Sequence, residues 1–211
     1  VAVLLLEDLQ WADEASLDFV AHLHAAHDLP LLLVATARPE LLERRPAWAA
    51  AADESATPAH RTLHLPPLDP AHGERLARAL LRHADDGAPA LRELLIAQAE
   101  GNPFYMEELL RMFIDDGVLS VDGGSWHLQP EKLRVARVPP TLVGVIQARL
   151  DALPAADRLA LQQASVVGHV FWDQAVAAID PRAPQAVPAL RRRELIHRRS
   201  MQDDVLWLAL A

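Results

Sequence analysis

Two apolar segments near the amino terminus predict paired strands. Residues 1–6 and 31–36 are almost wholly aliphatic, and runs without polar alternation are typical of strands buried on both faces. Between them, residues 15–27 place apolar side chains at helical spacing. The order strand, helix, strand predicts a parallel βαβ unit, and residues 62–65 are predicted to form a third strand.

Helical spacing dominates from residue 69 onward. Asp69 is suited to cap a helix that continues to residue 83, and Pro103 is suited to begin another. The turn 122–124, Asp-Gly-Gly, lies between apolar segments and predicts a β-hairpin over 117–129. Further helices are predicted over 90–99, 141–153, 155–167, 172–179 and 187–196. The fold class is therefore α/β plus α.

Charge and composition exclude several function classes. The 211 residues carry 20 Lys plus Arg against 29 Asp plus Glu, a formal net charge of -9 that disfavours a general nucleic-acid coat or a membrane-surface role. The chain has no cysteine, so disulfides, thiolate metal sites and cysteine nucleophiles are excluded. We expect a cytoplasmic protein without a membrane partner.

Candidate chemistry follows the two apolar strands. Glu7 and Asp8 end the first strand, and Arg38 follows the second, so all three are predicted at the carboxyl edge of one sheet, where open α/β folds bind ligands. There one acid can hold Mg²⁺, the other can orient a water that attacks a γ-phosphate, and the guanidinium can contact a terminal phosphate. The alternative is a strand that simply exits into solvent, with Arg38 as an ordinary loop residue.

Two other groups of polar residues favour a structural interpretation. The spacings of His22, His24 and His27 differ from the i, i+4 pairs of metal sites, so they are interpreted as solvated or partly buried histidines. A basic cluster near the carboxyl end is interpreted as a solvated helix face, with DNA contact as the less favoured alternative. Its members are Arg191, Arg192, Arg193, Arg198 and Arg199.

Three segments together resemble a known family. LLLEDLQWAD at 4–13, LLLVATARPE at 31–40 and GNPFYMEEL at 101–109 resemble the STAND class of P-loop ATPases. The subgroup they resemble occurs in large LuxR-type transcriptional regulators and beside bacterial adenylate-cyclase domains. Residues 138–142, 148–154 and 164–168 resemble the start of that family's winged-helix region.

The resemblance implies a role for each candidate residue. Glu7 and Asp8 would be the catalytic and Mg²⁺-binding Walker B pair, and Arg38 the sensor arginine, with ATP or ADP as the cofactor. Asp13 would belong to the same acidic edge. Gly101, Asn102 and Pro103 would form the segment whose proline lies against the adenine. The order Glu-Asp reverses the Asp-Glu of many Walker B motifs, so the resemblance leaves open which acid binds the metal.

The resemblance also implies a domain division. It assigns 1–68 to a truncated nucleotide-binding α/β domain, 69–138 to a helical lid with a hairpin, and 139–211 to a winged-helix-like helical domain. The whole would be a signal-regulated ATP switch that controls transcription or a signalling output. The alternative is a nucleotide-independent protein-interaction or DNA-binding module built from the helical half.

One motif of the family is missing. The sequence has no G-x-x-x-x-G-K-[ST], and its only lysine, Lys132, is far from any such loop. The family places that loop before the Walker B strand, so we expect a carboxyl-side fragment that is inactive alone and whose partner is the missing amino-terminal part. We also expect self-association through unpaired apolar edges, and a cleft in which Asp8 and Arg38 face residues 101–103.

Overall fold

The structure is a computed structural model that describes residues 2–25, 29–48, 61–84, 88–198 and, as backbone, 205–208. His27 and Arg199, both part of the sequence predictions, lie outside these ranges. The fold is mixed α/β, mostly helical, with small sheets. The chain divides into two compact units, Val1–Leu65 and Pro66–Ala211.

The first unit contains the predicted small parallel sheet. Strand β1 (Ala2–Leu6) pairs in parallel with β2 (Leu31–Ala35), so that Val3 lies opposite Leu32. A 3-10 turn (Leu9–Trp11) and helix α1 (Glu14–Ala25) connect the strands, and a short helix α2 (Glu40–Arg44) follows β2. The predicted strand, helix, strand order is therefore confirmed, and the two strands pair directly with each other.

Only one face of this sheet is covered. A small core of Leu9, Leu17 and Leu41 packs with Leu6 and Val20. Side chains alternate along a strand, so the other face presents a second set of residues. These are Val3, Leu5, Leu32 and Val34, which are 66%, 57%, 52% and 42% exposed. The prediction that both strands are buried on both faces is wrong, because α1 covers one face and no described element covers the other.

The predicted third strand is also wrong. Residues 61–69 form no strand, and Leu63 and Leu65 are 70% and 92% exposed. Pro66 and Pro67 follow directly, and proline has no backbone N–H to donate to a strand ladder. The short apolar alternation at 62–65 therefore belongs to a connecting segment without regular secondary structure.

The second unit begins with a core of helices and one hairpin. Its elements are α3 (Pro70–Leu80), α4 (Pro89–Ala99), α5 (Pro103–Asp115), β3 (Leu119–Asp122), β4 (Ser125–Leu128), α6 (Pro130–Val135) and α7 (Leu142–Asp151). Strands β3 and β4 are antiparallel about the predicted Gly123-Gly124 turn. Leu91, Leu109 and Phe113 are fully buried and centre this first core.

Side-chain caps fix the starts of these helices. The Asp69 Oδ1 atom accepts from the His72 N–H at 2.8 Å, as the sequence predicts. The Thr141 Oγ1 atom likewise accepts from the Gly144 N–H at 3.1 Å at the start of α7. Tyr105 of α5 is buried, and its hydroxyl donates to the Pro139 carbonyl at 2.5 Å, which ties α5 to the segment before α7. Burial raises the pKa of Tyr105, and the charge of Glu100 raises it further.

A second apolar core lies in the carboxyl part of this unit. Its elements are α8 (Ala155–Val167), β5 (Val170–Trp172), α9 (Asp173–Ile179), a 3-10 turn (Ala183–Ala186), α10 (Val187–Arg192), β6 (Ile196–Arg198) and β7 (Val205–Leu208). Strand β7 lies between β5 and β6 and is antiparallel to both. The helix predicted over 187–196 ends at Arg192, because Glu194 adopts a left-handed φ of 57° and the chain then enters β6.

Within the described ranges, none of the helices is both long enough and apolar enough to cross a membrane.

Candidate functional site

The carboxyl ends of β1 and β2 are joined by hydrogen bonds. The Thr36 N–H donates to the Leu6 carbonyl at 2.9 Å, and the Leu9 N–H donates to the Thr36 carbonyl at 3.0 Å. The Asp8 N–H donates to the Thr36 hydroxyl oxygen at 3.3 Å. Because the strands are parallel, both chain segments leave the sheet at this edge, and these bonds keep them together.

Gln10 connects the acidic and the basic segments of this edge. Its side-chain amide donates from Nε2 to Asp8 Oδ1 at 3.1 Å, and its Oε1 atom accepts from the Arg38 N–H at 3.1 Å. Gln10 is only 9% exposed, so both ends of the amide are held in a partly dry environment. The structure therefore places Asp8 and the Arg38 backbone at the same sheet edge, as the strand order predicts.

The two candidate acids differ in backbone conformation. Asp8 has a left-handed φ of 56°, a conformation that is costly for most residues and best tolerated by Gly, Asn and Asp. This turn ends the strand and starts the 3-10 turn, and it orients the Asp8 carboxylate toward Gln10. Glu7 is exposed at the same edge. Strained backbone at the end of a strand is common at functional sites.

The Arg38 guanidinium lies over an exposed aromatic ring. Its Cζ atom is 5.9 Å from the centroid of Trp11, which is 76% exposed. A cation over an indole face is held by the ring quadrupole. Arg38 is therefore positioned at the solvent side of the edge, where a guanidinium can meet an anionic ligand.

Asp13 has a structural role next to this edge. Its Oδ1 atom accepts from the Ser16 N–H at 2.7 Å, at the start of α1. This backbone hydrogen bond is the main reason that the pKa of Asp13 lies below its ordinary value. The carboxylate is therefore engaged at the helix start, which is a sufficient reason for an acid at this position.

Three polar residues of the site were missed by the sequence analysis as functional candidates. Gln10 bridges the edge, and Thr36 accepts from the Asp8 N–H. Arg44 donates to the Gln10 carbonyl at 2.8 Å and to the Ala12 carbonyl at 3.1 Å, which supports the 3-10 turn. Gln10 and Thr36 are polar residues inside the segments that resemble the family, and this position could have marked them as candidates. Arg44 lies outside those segments, and nothing in the sequence marked it.

The segment Gly101 to Pro103 belongs to the second unit. Gly101 has a φ of 81° and accepts from the Leu68 N–H at 2.8 Å. Asn102 caps α5, its Oδ1 atom accepting from the Tyr105 N–H at 3.1 Å, and Pro103 is the first helical residue. Each residue thus has a structural reason for its identity. The predicted cleft between this segment and Asp8 involves both units and stays a prediction.

The carboxylates at the sheet edge are too few to bind a metal ion by themselves and would need further oxygen ligands from a bound molecule. Across the described ranges, no group of three or more His, Asp or Glu side chains could hold a metal ion. Glu7 and Asp8 nevertheless supply two carboxylates in sequence, and Mg²⁺ is commonly held by one or two carboxylates together with waters and substrate phosphates. The residues present therefore fit Mg²⁺ bound along with a nucleotide.

Comparison with known proteins adds no assignment. No protein-family model matches this sequence, and no curated protein matches it.

Proposed function

We propose that the chain is the carboxyl-side part of a STAND-class P-loop ATPase. The observation that supports this most directly is the Gln10 bridge, which joins Asp8 and the Arg38 segment at the carboxyl edge of a parallel sheet. Ligands of open α/β folds bind at this edge. A strand that merely exits into solvent would need neither the buried amide nor the left-handed Asp8.

The proposal gives each edge residue a task. Glu7 and Asp8 would hold Mg²⁺ and would orient the water that attacks the γ-phosphate. Arg38 would contact the terminal phosphate, and Gln10 holds the Asp8 carboxylate through its side-chain amide. Bound Mg²⁺ would supply charge neutralisation of the phosphate oxygens. The resemblance further implies that Pro103, which belongs to the second unit, lies against the adenine.

The second core supports the winged-helix part of the proposal. Helix α8 is followed by strand β5, by three helical segments (α9, a 3-10 turn and α10) and by the strands β6 and β7, with β7 in the middle of the sheet. This order is compatible with the winged helix that the resemblance implies. The intact protein would then be a signal-regulated ATP switch that controls transcription or a signalling output.

The chain by itself is expected to be inactive. Catalysis of phosphoryl transfer depends almost entirely on positioning the phosphates and stabilising their charge. The 211 residues contain no glycine-rich loop followed by lysine that could do this. We therefore expect no Mg²⁺-dependent ATP hydrolysis above background from the purified chain, and turnover that Asp8→Asn abolishes would contradict the fragment interpretation.

The decisive experiment uses a protein extended toward the amino terminus by its own coding sequence. Binding of a fluorescent ATP analogue and phosphate release are measured for this protein and for Asp8→Asn and Arg38→Ala. Matched controls are Asp122→Asn in the hairpin turn and Arg75→Ala, an exposed arginine on α3. We expect Asp8→Asn to lower turnover at least roughly a hundredfold while the controls stay near the parent. An extended protein that binds no ATP would overturn the proposal.

A second candidate rests on the basic end of α10. Arg191 and Arg192 are exposed there, which favours DNA binding by the helical half. Against it, Arg193 faces Asp115 at 3.6 Å, and cations at a helix end also stabilise the helix dipole. Fluorescence anisotropy with a duplex at low salt, for the parent and an Arg191→Ala, Arg192→Ala variant, distinguishes the two roles. Tight binding of the duplex by the parent, abolished in the doubly substituted variant, would favour the DNA-binding function.

A further inference from the structure

A buried ion network joins distant parts of the second unit. At its centre is Arg149, which like Glu108 is only 3% exposed. The Arg149 guanidinium donates to the Glu108 carboxylate, to Asp115 Oδ2 at 3.2 Å and to the Arg193 carbonyl at 2.5 Å. A buried arginine is tolerated only when its charge is paired and its N–H groups are bonded, and both conditions are met here.

The network continues to the surface through Arg111. That side chain donates to Glu108 Oε1 at 2.5 Å and forms an ion pair with Glu194 Oε2 at 2.6 Å. The Glu194 side chain is 49% exposed. We call the whole set the Arg149 network, and its members are Glu108, Arg111, Asp115, Arg149, Arg193 and Glu194. Glu107 lies at its edge, with Oε2 3.8 Å from Arg111 Nη2, so four carboxylates face three arginines in and around the set.

The members come from both apolar cores. Glu108, Arg111 and Asp115 are spaced three and four residues apart on one face of α5, in the first core. Arg149 is on α7, which packs on the first core through Val145 and on the second through Leu150. Arg193 and Glu194 form the turn between α10 and β6, in the second core. The network therefore spans the junction between the two cores.

Apolar packing across this junction is limited. The two cores share no buried residue among those described, and α7 contributes to both, because Val145 is buried in the first core and Leu150 packs against the second. Between α7 and α8 the chain crosses once, through residues 152–154, where Leu153 is buried in the second core. Among the described residues, Leu150 and Leu153 provide the apolar link at this crossing, and the polar contacts of Arg149 lie beside it.

We propose that the Arg149 network is a latch that holds the second core in one orientation on the first. The segment 152–154 is the pivot, and both cores stay folded when the latch opens. A fully satisfied buried network favours one arrangement over others, because any displacement leaves charges unpaired in a poorly hydrated environment. Glu194 is the member from which the latch can be opened without disturbing either core.

The absence of cysteine allows a direct distance measurement. Ala97→Cys on α4 and Gln162→Cys on α8 place spin labels on exposed positions, one in each core. Pulsed electron–electron double resonance then gives the distribution of distances between the two spin labels. Far-UV circular dichroism reports the helix content. The opening variant is Glu194→Arg, which puts a like charge opposite Arg111. Glu93→Arg on the exposed side of α4 is the control with the same change in net charge.

We expect a single narrow distance distribution for the parent and for Glu93→Arg. Glu194→Arg should widen the distribution at least about twofold or add a second population, with unchanged helix content. Arg149→Met, which removes the central charge, should do the same. A narrow distribution in both variants would overturn the proposal. So would a loss of helix content in Glu194→Arg, because the network would then be part of one indivisible fold.

Discussion

Gly101→Ala should destabilise the second unit more than any ordinary glycine substitution. Gly101 has a φ of 81°, in the left-handed region that side chains with a Cβ rarely adopt. An alanine Cβ at this position would lie 2.4 Å from the Leu68 carbonyl oxygen and 3.0 Å from the Pro67 Cβ. The first is a backbone atom and the second belongs to a proline ring, so neither can rotate away as the end of a flexible side chain can.

The magnitude follows from two costs. Forcing alanine into the left-handed region costs roughly 1–2 kcal/mol. Moving the Leu68 backbone away breaks the hydrogen bond from its N–H to the Gly101 carbonyl, 2.8 Å long, and a bond of this kind contributes about 1 kcal/mol. We therefore expect a loss of about 2–3 kcal/mol in the free energy of unfolding.

Two other glycines separate these costs in urea titrations followed by circular dichroism. Gly124 has a φ of 93° and no atom within 4 Å of a built Cβ, so Gly124→Ala isolates the backbone cost of roughly 1–2 kcal/mol. Gly73 is inside α3, has no left-handed φ, and has no atom within 4 Å of a built Cβ. Gly73→Ala should therefore raise the free energy of unfolding by roughly 0.5–1 kcal/mol.

The comparison between variants decides the reasoning. If Gly101→Ala costs no more than Gly124→Ala, the close approach of Leu68 contributes nothing and the magnitude above is wrong. If it costs clearly more, this glycine is required by packing alone, with no nucleotide needed to explain it.

Three further predictions concern the caps, the sheet and the order of stability. The hydrogen bond that the Asp69 carboxylate accepts from the His72 N–H lowers the pKa of Asp69. The stabilisation from this bond should be complete above the ordinary pKa of 3.8 and should be lost as pH falls through the lowered pKa of the folded state. Asp69→Asn, which caps without titrating, should abolish that part of the acid sensitivity in thermal melts, and an unchanged profile would contradict this. Leu5→Thr with Val34→Thr should weaken self-association in sedimentation velocity, because both side chains are exposed on the bare sheet face; equal association would show that this face is not the adhesive one. Amides of residues 4–6 should exchange faster than those of 159–166 in hydrogen-exchange experiments on a monomeric sample, and equal protection would mean that the two-stranded sheet is complete as it stands.

Local signals in the sequence predicted local structure well. Asp69 followed by proline begins a helix, and the Asp-Gly-Gly turn joins two strands in the predicted hairpin. Helix α8 has the predicted bounds, set by Pro154 before it and Gly168 after it. In each case, the residues that determine the element are its own or its immediate neighbours, so no tertiary contact was needed to make the prediction.

The failures depend on what lies elsewhere in the chain. An apolar run such as 1–6 has the composition of a strand covered on both faces, but coverage requires a second layer, and the described structure provides one layer. Residues 62–65 alternate like a strand, yet in the described part of the chain they are assigned no strand. Composition records the tendency of a segment to be buried, whereas the rest of the fold decides whether a surface is there to bury it.

Long-range polar contacts were equally inaccessible. Glu108 and Arg149 are 41 residues apart, and Arg44 reaches Gln10 across 34. Nothing in the spacing of Arg149 distinguishes it from the exposed arginines of neighbouring helices. The candidate acids and Arg38 were predictable because parallel strands must exit at one edge, while the Gln10 amide between them became visible only with the backbone in place.

The buried tyrosine of α5 can serve as an intrinsic absorbance probe of the structure around it. The sequence contains a single tyrosine, so ultraviolet absorbance of ionised phenolate in alkaline solution comes from one position, Tyr105. Its hydroxyl is engaged with the Pro139 carbonyl, and its pKa is raised in the folded state. Any event that separates α5 from the segment leading into α7 returns the phenol to water and shifts its titration toward neutral pH. Partial opening of this one contact can thus be followed without a label, while the rest of the chain remains folded.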